Sequence, residues 1–183
     1  MKTTDLKFKS KLQPIKDIEE RNKAFDALSD EDKRKEIAWD CLQLILDNTV
    51  EGSYNEYWSS NIRNIFENDS KKFQKRLLKV EECKVCARGG LMLSQIRLGN
   101  SITSKEPYKE DGRQGILKGF NMGSFQNAEM EYEHSAFKHP YIGTSTYKLA
   151  NIMCNIIING DFNTKDKTNY LVLADRKENH DKN

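Results

Sequence analysis

The chain has 183 residues, 32% of them charged and 37% hydrophobic, and a formal net charge of +2. That is the length of one ordinary domain with enough apolar residues for a core, and so high a charged fraction suits a helical protein with solvated outer faces rather than a β-sandwich. The near-neutral balance excludes a global field toward nucleic acid or membrane, so any electrostatic partner must be met by a local patch.

The first residues lack the apolar segment of a secretory signal, and the longest apolar run, residues 152–158, is interrupted by Asn155 and too short to span a bilayer. A cytoplasmic protein is expected, with no membrane partner and with its four cysteines as reduced thiols. One domain over residues 1–183 is expected, with a basic arm at 1–13 and a flexible charged tail at 175–183.

In the arm, Leu6, Phe8, Ser10 and Leu12 alternate with Lys7, Lys9 and Lys11, which is strand periodicity with a basic face; a mobile basic tail is the competing reading. Pro14 ends it. A charged helix is expected over 15–28, and Ser29 then reads as the N-cap of a second helix, whose first turn holds Asp30, Glu31 and Asp32. That helix, about 30–46, carries Ile37, Ala38, Cys41, Leu42, Leu44 and Ile45, a surface wide enough to be buried on two sides. Residues 48–53 read as a turn broken by Gly52. Tyr54, Trp58, Ile62 and Phe66 then recur at helical spacing; a base-stacking surface is conceivable on such a stripe, but a core face is the ordinary outcome.

Ser70 reads as the cap of a basic helix with Phe73, Leu77 and Val80 inward, running into 83–98, which is read as the central helix. There Val85, Gly89, Met92, Leu93 and Ile96 form one apolar stripe, and Ala87, Gly89 and Gly90 leave a bare groove for close approach of another helix. Residues 99–123, with Pro107, Gly112, Gly115, Gly119 and Gly123, read as an irregular loop. Ser124 opens a further helix to His139, with strand as its rival, and Ser145 or Thr146 opens a last apolar helix closed by Gly160. Leu171, Val172 and Leu173 could pack or pair. The fold class is therefore mainly α, a compact multi-helix domain with an irregular Gly-rich loop region and a short β element at the termini.

Two features could carry function. Cys83-x-x-Cys86 has three readings: a redox pair, which needs the first thiol at a helix N-terminus after a buried strand; a zinc site, which lacks a second ligand pair because His134 and His139 lie far along the chain; and small core residues beside the glycines, the reading preferred here. No catalytic set and no cofactor are expected. The second feature is basic: Lys71, Lys72, Lys75, Arg76, Lys79 and Arg88 make a ridge, with Lys72, Arg76 and Lys79 on one helix face, suited to an acidic protein surface or to phosphates, or else simply solvated.

Val85-Cys86-Ala87-x-Gly89-Gly90-Leu91-x-Leu93-Ser94 resembles a signature of small proteins of phages and other mobile elements. In that group a similar helix is followed by a Glu-x-x-Phe-like segment, here Glu133 to Phe137, and by an apolar helix ending in Asn-Gly-x-Phe, here Asn159-Gly160-Asp161-Phe162. Gly90 stands where the group usually has alanine, and residues 1–80 carry no such likeness. The resemblance implies a helical, non-enzymatic interaction factor acting in a host cytoplasm. Its partner would be a host protein or ribonucleoprotein complex, as for an anti-CRISPR-type inhibitor of a host nuclease. The alternatives are an accessory protein binding RNA or DNA through the ridge and the Lys7, Lys9, Lys11 arm and, less favoured, a zinc or thiol protein using Cys83 and Cys86.

Overall fold

The structure is a computed structural model that describes residues 6–53, 58–99 and 145–170. The glycine-rich loop, the expected helix at 124–139, residues 171–173 and the charged tail lie outside the described residues. Within them the protein is mainly helical, in chain order α1 (Ile18–Asp26), α2 (Asp30–Leu46), β1 (Val50–Gly52), α3 (Ser60–Arg63), α4 (Ser70–Leu77), β2 (Cys83–Val85), α5 (Ala87–Leu98) and α6 (Ser145–Asn159).

Helix α2 is the hub. Ser29 caps it by accepting from Asp32 N at 3.1 Å, and three acids fill its first turn, so its N-terminal donors and dipole are met locally. Its end is a Schellman turn: Asn48 takes φ +60°, its N–H bonds Ile45 O at 3.1 Å, and Thr49 N–H bonds Leu44 O at 2.9 Å. The apolar surface between is buried on two sides, against α6 and against α5.

Helix α5 is buried nearly all round, from Ala87 to Leu98. The expected close approach falls at Gly90, where a Cβ would lie 2.9 Å from Cys41 Sγ of α2 and 3.7 Å from Leu149 Cδ1 of α6. Gly89 plays a different part, its carbonyl accepting the buried Trp58 indole N–H at 2.8 Å.

Three expectations are corrected. The central helix does not begin at Cys83, because Cys83–Val85 is strand β2, paired in parallel with β1 in the register Val50↔Cys83, Glu51↔Lys84, Gly52↔Val85. Cys83 and Val85 point inward and Lys84 outward, a period of two that three residues cannot distinguish from one helical turn. The short β element among the described residues is thus internal, and Cys86 becomes the N-cap of α5. The first helix starts at Ile18 instead of 15, because Ile15 N–H closes a turn onto Leu12 O at 3.0 Å and Asp17 supplies the cap, accepting from Glu20 N at 2.8 Å.

The arm is the third correction. It keeps the alternation, Leu6 and Leu12 buried and Phe8 half-buried against exposed Lys7, Lys9 and Lys11, yet forms no strand. Side chains of α2 hold it instead. The buried Glu36 carboxylate accepts from Ser10 Oγ and Lys11 N, both at 2.5 Å, Lys11 reaches Asp32 at 2.8 Å, and the Phe8 and Trp39 rings lie 5.5 Å apart.

At the other end Gly160 takes φ +79° and its N–H bonds Ile156 O at 2.8 Å, closing α6 where expected. Residues 161–170 then run back along α6 as an extended strap, pinned by a row of asparagines one turn apart. Asn155 donates to Asn163 O at 3.0 Å and accepts from Asn163 N at 2.8 Å, while Asn151 accepts from Tyr170 N at 2.5 Å. Buried amides inside so apolar a helix are sustained because each has a backbone partner in the strap.

Candidate interaction surface

Helix α4 presents the basic residues. Asp69 rather than Ser70 is its N-cap, accepting from Lys72 N at 2.9 Å, and those backbone donors hold the Asp69 carboxyl below the usual range. Phe73, Gln74 and Leu77 are buried and seat the helix on α5, which leaves Lys71, Lys72, Lys75 and Arg76 on the solvent side.

What fixes this helix is Arg97 of α5, whose charge does not belong to the exposed ridge. Its Nε meets Asp40 Oδ2 of α2 at 3.0 Å, and its Nη1 caps the Leu77 carbonyl at the end of α4 at 3.0 Å. The Arg97 carbonyl accepts from Arg21 Nη2 at 2.8 Å and from Gln74 Nε2 at 3.2 Å. One residue thus ties α1, α2, α4 and α5 together, and α4 is a rigid platform rather than a floating basic segment.

The expected site residues are only partly gathered. Lys71 is engaged by Glu19 at 2.9 Å, an exposed pair. Lys72, Lys75 and Arg76 are exposed on α4 and form no ion pair with any described residue. Lys79 is exposed and without an ion pair too, but it stands in the turn beyond α4, its N–H on Arg76 O at 3.1 Å, so the proposed shared helix face extends only to Arg76. Arg88 is half-buried in the first turn of α5, a separate element.

Sequence reasoning missed Phe66. The helical spacing puts it on a core stripe with Trp58 and Ile62, which are buried, but α3 ends at Arg63, Ile65 turns inward in its stead, and Phe66 is left 78% exposed three residues before the α4 cap. The sequence carries no local signal for this, since the five residues between Ile62 and Asn68 would hold another helical turn.

The thiols do not form one site. Cys83 is buried in β2 and burial pushes its thiol up to about 12; burial likewise raises Cys41, and takes Cys154 up to about 12. Such thiols are poor nucleophiles and poor metal ligands. It is the second cysteine, Cys86, that stands at a helix N-terminus after a strand, its Sγ accepting from Gly89 N at 3.4 Å. None of the four cysteines forms a disulfide, and among the described residues no group of three or more His, Cys, Asp or Glu side chains is placed to hold a metal. His134 and His139 lie outside the described residues. No helix among the described residues is long and apolar enough to cross a membrane.

Comparison with protein-family models, with curated proteins and with solved structures finds no match to this chain.

Proposed function

We propose that this protein is a non-enzymatic interaction factor that docks through α4 onto an acidic surface of a protein partner. The observation that carries the reading is the group Lys72, Lys75, Arg76 and Lys79, exposed without an ion pair to any described residue on or just beyond a helix that Arg97, Phe73 and Leu77 hold in place. Lys71 and Lys72 stand in the first turn of that helix, where cations oppose the dipole, so this charge does not serve helix stability. Phe66, three residues before the α4 cap, adds an exposed aromatic, and aromatic and arginine side chains are what protein interfaces concentrate. The resemblance to mobile-element proteins suggests a host nuclease complex in the cytoplasm as the partner, with inhibition as the outcome.

The test is capture from host lysate by tagged wild type and by the triple variant Lys72→Glu, Arg76→Glu, Lys79→Glu, with and without nuclease treatment. The expected result is a protein partner that survives nuclease and is lost on charge reversal. Capture abolished by nuclease would replace this reading by nucleic-acid binding, and capture indifferent to reversal would leave the ridge a solvated face.

A further inference from the structure

The junction of α6 and its strap holds the only Asn-Gly pair in the sequence, Asn159-Gly160. Asparagine followed by glycine is the dipeptide most prone to cyclise, because no side chain hinders attack by the following backbone nitrogen. Here the exposed Asn159 amide is also the outer clamp of the strap: Nδ2 donates to Asp166 Oδ2 at 2.7 Å and to Asn155 O at 3.0 Å. Asp166 accepts besides from Tyr170 OH at 2.6 Å and from Thr168 N at 3.0 Å. Its carboxylate therefore sits at the centre of a donor cluster in which Asn159 has a member's place.

The geometry points to Asn159 as a self-modification site whose product unlatches the strap. In the step, the Gly160 nitrogen attacks Asn159 Cγ and loses its proton; the N–Cγ bond forms, the Cγ–Nδ2 bond breaks, and Nδ2 leaves with that proton as ammonia. Water then opens the resulting succinimide at either carbonyl to give aspartate or isoaspartate. No reactant but water is needed.

The closed latch resists this chemistry. Gly160 N–H is committed to Ile156 O, Asn159 keeps helical backbone geometry, and its amide is held on Asp166, so cyclisation waits for the last turn of α6 to open. After hydrolysis the donor is gone and a carboxylate faces Asp166; the nearby acids Asp161 and Glu31 are paired with Arg34 at 3.8 Å and Lys35 at 2.5 Å, so the repulsion that counts is the one between the new carboxylate and Asp166. Like charges at this distance keep the strap from closing again, which makes the change one-way.

The experiment ages the purified full chain at mildly alkaline pH and follows conversion of Asn159 to acid by peptide mapping. Wild type, Asp166→Ala and the urea-unfolded chain are compared. Expected is conversion at Asn159 in the native chain, at least about tenfold slower than in the unfolded chain, and faster in Asp166→Ala than in wild type. In parallel, Asn159→Asp should expose residues 161–170 to limited proteolysis, and Asn159→Asp combined with Asp166→Asn should restore protection. No conversion in the native chain, equal rates in wild type and Asp166→Ala, or a strap in Asn159→Asp as protected as in wild type would each overturn the assignment; the rate comparison stands even if the aspartate variant does not fold.

Discussion

The α2–α5–α6 core and the α4 ridge treat polar chemistry in opposite ways. In the core, Asn151 and Asn155 have backbone partners, Asp40 is matched by Arg97, and the Cys41 thiol serves as a small apolar group beside Gly90. On α4, one cation of the helix has a carboxylate and its neighbours have none among the described residues. A protein gains stability by satisfying polar groups and gains partners by leaving some of them unsatisfied, and here the two policies are separated by the single residue Arg97.

The largest blow to the core side should come from Gly90→Leu. Its branched side chain would enter the space of Cys41 Sγ and Leu149 between two helices that cannot part locally, a loss of about 3 kcal/mol or more by urea denaturation. An unchanged midpoint would mean that the helices are not in close contact there. Asp40→Ala strikes the boundary, leaving the half-buried Arg97 guanidinium without its carboxylate; about 2 kcal/mol should be lost, with amide exchange in α4 rising more than in α6.

Smaller effects come from the two clasp carboxylates, which should respond oppositely to pH. Burial pulls Asp166 toward the neutral form, but hydrogen bonds from Thr168, Tyr170 and Asn159 outweigh it and hold the carboxyl well below its ordinary value. Its contribution is full above the unfolded value near 3.8 and is lost as pH falls below that. Glu36 is displaced the other way, burial raising it above 4.5 despite Ser10 and Lys11. Its ionisation therefore costs stability, a cost absent below the unfolded value that grows as pH rises through the window up to the raised one. Asp166→Asn should remove the acid-side loss in a pH-resolved melting series, and Glu36→Gln the fall with rising pH. Smallest of all, Lys71→Ala should leave the melting temperature unchanged, because the Glu19 pair is exposed and screened.

Much of the architecture was legible because it rests on local signals. Ser29 with the acids after it, the apolar spacing of α2, and Gly160 after Asn159 each name their own element. What was not legible rests on partners distant in sequence. Cys83–Val85 is a strand only because Val50–Gly52 lies beside it, and the arm is docked only because Glu36 and Trp39 receive it. For the site, the basic composition of α4 could be read directly, whereas the separation of Arg88 from the exposed group depended on how α5 is buried.

The most direct measurement of the central claim compares two triple reversals with an identical change in net charge: Lys72, Arg76 and Lys79 to Glu, against the exposed Lys7, Lys9 and Lys16 to Glu. Partner capture after nuclease treatment should be lost in the first and kept in the second, with both variants as stable as wild type. Equal loss in both would show that net charge rather than the α4 ridge governs binding, and would contradict the account.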